Sequence, residues 1–382
     1  MTPLEVLFLV PVVAGSAFYL GTLATAYLFL NERKESGSLG EVPPVSMLKP
    51  VYGLERNLEC NLRSALNQDY PDYQVVLSVQ RSDDPALPLL HKLSREYGPE
   101  RATFVAAQSE PVLNGKIQNL EIALSAARHD VLVISDSDVF TPEDYLARIT
   151  APFGKDDVGY VCTLYRCVNA RHWYERLALL TYNADFIPSV VFAYMTGASG
   201  FCLGASVALR RAVLEEIGSF TSLSDYLVED YELGRRILER GRRMVLLPYV
   251  VDLGIDLDSP QSWWRHQVYW DQRTRAAHPT GFAASILTRA VPFALLFAWV
   301  RLFDPLGLAV LGATLAIRLG TAAGTALLLR DREGLKALWL LPFRDIAGLL
   351  FWAVALGKRS FVWRGHSCRL TRGGRIVPLK PR

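Results

Sequence analysis

Apolar and mixed stretches alternate along the chain, and the first apolar stretch runs from Leu4 to Leu30 with a single glutamate near its start and no other charge. It is longer than the roughly 20 residues that cross a bilayer, so residues 1–31 are predicted to form a transmembrane helix. A cleaved signal peptide is the alternative, but Arg33 and Lys34 follow the apolar run instead of preceding it. Because basic residues favour the cytoplasmic side, the chain from Asn31 onward is placed in the cytoplasm.

Residues 44–258 show the pattern of a globular α/β domain. Short β-branched runs alternate there with helix-like segments such as Leu54 to Leu66, in which leucines recur every fourth residue. This alternation predicts a mostly parallel sheet covered by helices on both faces. The β-branched runs are Val45 to Val51, Val75 to Val79, Thr103 to Ala107, Val131 to Ile134 and Val158 to Thr163.

The chain becomes apolar again after Gly281, and residues 282–357 are predicted to return to the membrane. Two stretches, Phe282 to Phe303 and Leu306 to Leu329, are each long enough to span. The segment between the α/β domain and the first of them, residues 259–281, is predicted to be an interfacial amphipathic helix, because tryptophan and tyrosine crowd there beside arginines.

A third apolar stretch, Leu335 to Gly357, is interrupted by the charged residues Arg344 and Asp345. The tail beyond it, residues 358–382, is rich in arginine and therefore belongs on the cytoplasmic side. We expect the third stretch to be re-entrant or interfacial with the charged pair buried in protein, because ionisable groups facing lipid are costly. An ordinary third span with an exported tail is the alternative.

Composition agrees with a chain that is part membrane and part globular, since 51% of its 382 residues are hydrophobic and 21% are charged. A net charge of +3 without a stripe of basic and aromatic residues argues against a nucleic-acid partner. The five cysteines are odd in number, scattered and without a C-x-x-C pair, so they are predicted to be reduced thiols of a cytoplasmic domain.

The strongest candidate for chemistry is Asp136-Ser137-Asp138, which directly follows the buried run that ends at Ile134. In open α/β sheets ligands bind beyond the carboxyl ends of strands. Two carboxylates one residue apart can hold a Mg²⁺ or Mn²⁺ ion and leave positions free for phosphate oxygens. A solvated acidic turn ahead of a helix gives the same three letters.

Two further segments place polar groups near the ends of predicted strands. Lys116 and Asn119 lie at the start of a helix, which is a natural site for an anion, although taken in isolation the segment fits a turn with a solvated lysine better. Asp83 and Asp84 follow another strand, and here the alternative is a helix cap before Pro85.

A second acidic pair, Glu229 and Asp230, opens a predicted helix. A carboxylate there could act as general base towards an acceptor hydroxyl. Acidic residues in a first helical turn also complement the helix dipole, which is the competing explanation.

Together these segments resemble the ceramide glucosyltransferase family and its bacterial hopanoid-associated relatives, within the GT-A class of inverting glycosyltransferases. The resemblance covers nearly the whole chain. It rests on the segments at Val45 to Pro50, Gln68 to Pro71, Asp83 to Ala86, Lys116 to Leu120, Gly204 to Leu214, Glu229 to Tyr231 and Trp363 to Gly365.

The resemblance implies a GT-A fold with transmembrane helices at both ends, and it implies roles for single residues. Asp136 and Asp138 would bind the metal and the diphosphate, and Asp230 would be the base. Asp83 or Asp84 would contact the uridine. The other residues implied at the donor site are Lys49, Gln80, Lys116 and Asn119.

One departure from the family pattern is clear. The family closes its site with a (Gln/Arg)-x-x-Arg-Trp motif, and the matching stretch here is His266-Gln267-Val268-Tyr269-Trp270. Trp270 is kept, while His266 and Tyr269 stand where the family has an amide or cation and an arginine. Arg265, Arg273 or Arg275 could supply the missing charge.

The sequence therefore predicts an inverting transferase on the cytoplasmic face of a bacterial inner membrane, moving glucose or N-acetylglucosamine from a UDP-sugar to a membrane lipid such as ceramide or a hopanoid. The apolar segment Leu177 to Gly204 is predicted to form an acceptor groove or interfacial patch, with a core helix pair as the alternative. Two other functions stay open: a processive polysaccharide synthase and a non-catalytic, membrane-tethered nucleotide-sugar-binding protein.

Overall fold

The computed structural model describes residues 1–32, 42–106, 114–198, 200–357, 360–363, 366–371 and 374–378. The strands are β1 Val45–Val51, β2 Tyr73–Val79, β3 Ala102–Ala106, β4 Val131–Ser135, β5 Val139–Phe140, β6 Val158–Val168, β7 Ser206–Arg210, β8 Arg243–Gly254, β9 Ser360–Trp363, β10 His366–Leu370 and β11 Ile376–Pro378. The helices of the α/β domain are α2 Leu58–Leu66, α3 Leu87–Tyr97, α4 Gly115–Ala126, α5 Tyr145–Thr150, α6 Trp173–Thr181, α7 Ile187–Met195, α8 Arg211–Glu216 and α9 Glu229–Leu238. The helices at the two ends are α1 Pro3–Asn31, α10 Pro260–Ala277, α11 Pro279–Ala284, α12 Ala290–Val300, α13 Pro305–Leu328, α14 Arg332–Ala337 and α15 Leu341–Gly357.

Eight strands form the central sheet, in the order β3-β2-β1-β4-β7-β6-β8-β5. The first four of these strands are parallel to one another, and β8 is parallel to β6. β7 runs antiparallel to both of its neighbours, and β5 antiparallel to β8. The sheet is thus mixed but mostly parallel, and the α/β prediction is confirmed.

Four of the five predicted β-branched runs lie wholly on strands that are buried in the sheet. The fifth, Thr103 to Ala107, lies on the partly exposed edge strand β3 as far as Ala106, and Ala107 is outside the described residues. The helix expected from Leu54 is shorter: α2 begins at Leu58, since Asn57 has a left-handed backbone with a φ of 64°. β1, β2 and β4 are parallel neighbours, so their carboxyl ends lie along one edge of the sheet. This edge carries the candidate site.

Four helical segments of the described chain are long and apolar enough to cross a membrane: Pro3–Asn31, Trp173–Met195, Pro305–Leu328 and Arg332–Gly357. A fifth candidate, Pro279–Thr288 with Ala290–Val300, is bent by 50°. α1 packs against α12 and α7, with the rings of Phe18 and Phe192 5.3 Å apart. Trp173–Met195 combines α6 and α7, which are joined by a π-helical turn at Tyr182–Phe186; it is the most buried of the four.

A buried ion network joins these helices. Arg318 of α13 binds Asp345 of α15 at 2.8 Å and Asp185 of the π-helical turn at 2.5 Å. Arg344 contacts the same two carboxylates, lying 3.0 Å from Asp345. Only 2% of the Arg318 side chain and 4% of the Asp345 side chain are exposed. The charged pair Arg344 and Asp345 is therefore buried in protein; whether residues 335–357 are re-entrant stays a prediction.

The C-terminal strands β9, β10 and β11 form a second, antiparallel sheet. The sequence predicts only a basic tail at residues 358–382, whereas the described part of this segment forms three strands. β11 contacts the α/β domain, where the amide of Ile376 donates to the carbonyl oxygen of Asp225 at 2.7 Å. This contact supports a tail on the same side of the membrane as the α/β domain.

Candidate active site

The turn Asp136-Ser137-Asp138 directly follows β4, as the sequence predicts. The amide of Asp136 donates to the carbonyl oxygen of Ala205, at the start of β7, at 3.1 Å. Beneath the turn lies Lys49 of β1, which is fully buried and donates to the carbonyl oxygens of Asp136 and Val139 at 2.8 and 3.0 Å. Burial lowers the pKa of Lys49 to about 8, against the opposing effect of the nearby carboxylates. Lys49 thus supports the backbone of the turn from below.

Asp138 carries an oxygen without a partner. Its Oδ1 atom is buried and accepts no hydrogen bond from the described residues. Burial, followed by the charges of Asp136 and Glu55, raises the pKa of Asp138 to about 8. A buried polar atom without a partner is costly, and a cation would compensate it.

Glu55 is a third carboxylate at this turn, and sequence analysis missed it. Its Oε2 atom accepts a hydrogen bond from Ser137 Oγ at 2.7 Å, and burial raises the pKa of Glu55. The carbonyl oxygen of Ser137 accepts from Asn61 of α2 at 3.2 Å. The available signal was position, since Glu55 follows β1 as Asp136 follows β4.

Lys116 lies across from the turn, in the first turn of α4. Its Nζ atom is 2.7 Å from Asp136 Oδ1 and donates to the carbonyl oxygen of Gly204 at 3.2 Å. Burial by itself would lower the pKa of Lys116, but the carboxylates, Asp136 first, more than offset it and raise the pKa. Asn114 caps this helix, its Oδ1 accepting from the amide of Ile117. Lys116 is therefore a fixed cation beside the acidic turn.

Asn119 and Gln80 lie deeper on the same edge. The side-chain amide of Asn119 donates to the carbonyl oxygen of Val51, at the end of β1, at 3.0 Å. Its Oδ1 atom is buried and has no partner among the described residues. Gln80, just after β2, donates to Gln118 at 2.8 Å. Both donor-site candidates are thus buried along the strand ends, and Asn119 leaves one acceptor free.

The structure separates Asp83 from Asp84. Asp83 is exposed and pairs with Arg81 at 2.6 Å. Asp84 is buried, and its carboxylate accepts from the amides of Gly53 and Ala86. Asp84 thereby holds the loop after β1 and the start of α3 together. Of the two aspartates, Asp84 is therefore the one that lies at the sheet edge that carries the candidate site.

Glu229 and Asp230 begin α9 and line a small recess together with Lys116 and Gly204. Burial, and then Asp230, raise the pKa of Glu229. Asp230 packs so closely on Gly204 that a Cβ atom at position 204 would lie 2.6 Å from its Oδ2 atom. Only glycine leaves room for this carboxylate.

Arg273 of α10 supplies a positive charge at the same place. Its guanidinium lies 3.5 Å from Asp230 Oδ1 and 5.9 Å from the ring centroid of Tyr269. The other candidates do not reach the site: Arg265 is exposed, and Arg275 donates to the last carbonyl oxygens of α15. Arg273 is thus the cation of α10 that stands beside the acidic pair.

The closing motif lies on α10, whose Pro260–Ala277 span falls within the predicted helical segment 259–281. Trp270 makes edge-on contacts with Tyr182 and Phe186 of the π-helical turn, with ring centroids 4.5 and 5.1 Å apart. Burial, and then Arg273, lower the pKa of His266 to about 4, so its ring is neutral at neutral pH. Gln267 is buried. Tyr269 packs against the C-terminal strands.

The donor atoms at the turn suit a hard divalent cation. Asp136 and Asp138 offer carboxylate oxygens, and the Oδ1 atom of Asp138 lacks a partner. The described residues contain no group of three or more His, Cys, Asp or Glu side chains that could hold a metal by themselves. A cation here would need oxygens from a ligand as well, which fits a diphosphate.

This chain is similar to known proteins by family, by sequence and by fold. A family model described as glycosyl transferase family 21 matches residues 7–376. Ceramide glucosyltransferase 3 of Caenorhabditis elegans is 24% identical over 377 residues, covering 93% of this chain and 78% of that protein. Ceramide glucosyltransferase 1 of the same organism is 22% identical over 357 residues, covering 89% and 74%.

Among solved structures, the mannosyltransferase PcManGT of Pyrobaculum calidifontis, determined in complex with GDP-Man and Mn²⁺, aligns with a TM-score of 0.57 and 20% identity, covering 92% of this chain and 97% of that one. This likeness confirms the predicted GT-A fold. Because the family model spans nearly the whole chain, this protein belongs to glycosyl transferase family 21 and is a glycosyltransferase.

Proposed function

We propose that this glycosyltransferase moves a hexose, glucose or N-acetylglucosamine, from a UDP-sugar to the hydroxyl group of a membrane lipid, with inversion at the anomeric carbon. One observation carries the proposal: Lys116 joins the acidic turn to the acidic pair, lying 2.7 Å from Asp136 and lining the same recess as Asp230. A site for a leaving diphosphate and a candidate base therefore adjoin each other.

On the donor side, Asp136 and Asp138 would hold Mg²⁺ or Mn²⁺, which neutralises charge on the departing diphosphate when bound. Lys116 adds a fixed ammonium at the N-terminus of α4, where helix amides also favour an anion. Asn119, with its free Oδ1 acceptor, and Asp84 are the groups along this edge that would hold the uridine. Lys49 supports the backbone of the acidic turn from β1, and Gln80 bonds Gln118 of α4 beside Asn119.

On the acceptor side, Asp230 would take the proton of the lipid hydroxyl while the hydroxyl oxygen attacks the anomeric carbon and UDP leaves with the bonding electron pair. This single displacement inverts the configuration. Glu229 and Arg273 flank Asp230. Arg273 stands where it can take over the charge that the family motif places at the position of Tyr269.

The acceptor would reach Asp230 from the membrane. α10 carries Trp270 against the π-helical turn of Trp173–Met195, and that segment packs on α1. The site is thus connected directly to helices that are apolar enough to span. Because the chain resembles ceramide glucosyltransferases, ceramide is the first acceptor proposed. A hopanoid offers a similar hydroxyl group at the membrane interface. A bacterial inner membrane with the α/β domain in the cytoplasm is the proposed location.

The test is UDP release by the purified protein with Mn²⁺, UDP-glucose or UDP-N-acetylglucosamine, and membrane lipid extract, followed by mass spectrometry of the lipids. We expect one hexose added per lipid and a loss of about 10²- to 10⁴-fold in turnover for Asp230→Asn. Asp157→Asn, at an exposed carboxylate paired with Arg243, is the matched control.

Each alternative has its own result. Full turnover by Asp230→Asn would refute the base assignment. A polymeric product would indicate a processive synthase. UDP binding without UDP release in any lipid extract would indicate a binding protein.

A further inference from the structure

The C-terminal sheet pairs with the segment that leads into the acidic pair. The amide of Ile376 donates to the carbonyl oxygen of Asp225 at 2.7 Å, and the amide of Leu227 donates to the carbonyl oxygen of Gly374 at 3.0 Å. Between them, Tyr226 and Arg375 form an antiparallel bridge. Residues 225–227 are therefore held by backbone hydrogen bonds to the last described strand of the chain.

Side chains reinforce this pairing. Leu227 is fully buried and forms a small apolar cluster with Cys368 and Ile376 that is separate from the main core. Val228 packs against the cluster from the α9 side, and Tyr269 packs against it from α10. The C-terminal strands thus contact both the entrance to α9 and the helix that carries Arg273.

The same segment is tied to the lysine side of the site. The carbonyl oxygen of Tyr226 accepts from the Asn114 side chain at 3.3 Å, and Asn114 is the cap of the helix that carries Lys116. The guanidinium groups of Arg236 and Arg375 lie 5.3 and 5.5 Å from the Tyr226 ring centroid. Tyr226 is a junction between α4, α9 and the C-terminal sheet.

The first turn of α9 has no side-chain cap, because its N-cap residue Val228 makes no side-chain capping bond. Asp230 lies only three positions after Leu227, so a shift of the paired segment is passed to the carboxylate. A displacement of about 1 Å at a reacting group can cost on the order of 10²-fold in rate.

We propose that the C-terminal sheet is a positioning element of the active site: by pairing with residues 225–227 it sets the place of Asp230 at the start of α9. This inference rests on the proposed role of Asp230 as base. It assigns no contact with substrate to the sheet. Asp136 and Asp138 are held by β4, β7 and Lys49, and the helix of Lys116 is capped by its own Asn114, so donor binding should depend much less on the sheet than Asp230 does.

The test removes one hydrogen bond in the full-length protein. Ile376→Pro deletes the amide that donates to Asp225. We expect amide hydrogen exchange of residues 225–230 to speed up by about tenfold or more, kcat to fall by about 10- to 100-fold, and the Kd for UDP with Mn²⁺ to stay within about twofold of wild type.

Two further variants keep the test decisive. Ile376→Ala retains the amide but trims the buried contact with Leu227, so it should loosen the same segment and lower kcat by several-fold; it also decides the matter if Ile376→Pro does not fold. Val377→Ala changes an exposed side chain of the same strand and should behave as wild type.

Unchanged exchange at residues 225–230 in both Ile376 variants overturns the proposal, and so does faster exchange with unchanged kcat. A wild-type protein without any turnover refutes the proposed function instead. Hydrogen exchange would still report whether the sheet holds the segment.

Discussion

Two clusters of buried charge in this protein look alike in composition but differ in how completely their members are paired. In the ion network of the membrane-facing helices, both oxygens of Asp345 and both oxygens of Asp185 accept bonds from Arg318 or Arg344. At the strand ends, Asp138 and Asn119 each keep a buried oxygen that has no partner in the described part of the chain. The first cluster is complete in itself, and the second is completed only by a ligand.

The pKa values of Asp138 and Lys49 also indicate that the charges at the strand ends are incompletely compensated. Burial raises the pKa of Asp138 to about 8 and lowers that of Lys49 to about 8, which is the direction expected for charges that lack compensation. Perturbed carboxylates and lysines in a recess mark functional sites more often than structural ones. Completeness of pairing, more than burial, separates the network that holds helices together from the site that binds.

Asp138→Asn should have the largest effect on activity. Turnover should fall on the order of 10³-fold, because one of the two carboxylates proposed to hold the cation is lost. Stability should stay the same or rise, because the raised pKa shows that folding disfavours the charged form of this residue. UDP release measures the predicted loss of turnover, and thermal unfolding of the same samples measures the predicted stability. A large loss of stability would contradict this account of the site.

Arg318→Met should show the opposite pattern. The substitution removes one cationic partner from each of the buried carboxylates Asp345 and Asp185. The free energy of unfolding in detergent should therefore fall by about 3–5 kcal/mol. Adding Asp345→Leu should recover much of that loss, since Asp185 would still pair with Arg344. Activity per folded molecule should change little, and a selective loss of turnover would remove the distinction between the two clusters.

Arg273→Gln should lie between these extremes. The guanidinium is about a quarter exposed and 3.5 Å from Asp230, so its loss should lower kcat by about 30-fold and alter stability only slightly. Arg265→Gln, at an exposed position of the same helix, is the matched control. Equal kcat for the two variants would show that Arg273 does not replace the missing arginine of the family motif.

Glu55→Gln should have the smallest effect. Glu55 reaches the turn through Ser137 and is not one of the two carboxylates proposed to hold the metal, so Mn²⁺ affinity should fall by about tenfold, as for residues that orient metal ligands. Manganese binding by the purified protein measures this directly. Ser137→Ala removes the other half of the same hydrogen bond and should give a similar decrease; a tenfold difference between the two variants would disprove the shared mechanism.

The parts of the fold that sequence predicts are those with a local pattern. β1, β2 and β4 are rich in β-branched and other apolar residues, and α4 and α9 begin where their polar residues indicate. The pairing of β7 between β4 and β6 has no local signal, because it joins segments that are far apart in the chain. The C-terminal strands were missed because their arginine content is typical of a basic tail.

The residues of the candidate site also divide into those with a local sequence pattern and those without one. Asp136, Asp138 and Lys116 were found from strand ends and helix starts, and the structure brings them together. Glu55 was missed because its contact with Ser137 crosses 82 positions. The buried partners of Arg318 were missed for the same reason, since Asp185 is 133 positions away. Local periodicity cannot report such contacts.

Gly204 has a consequence for natural variation in this protein. Any side chain at position 204 meets the carboxylate of Asp230, and even the methyl group of alanine would come within 2.6 Å of it. A genetic screen would therefore score changes at this glycine like changes at Asp230 itself, although glycine contributes no reactive group. A map of tolerated substitutions should therefore show that positions 204 and 230 are similarly intolerant.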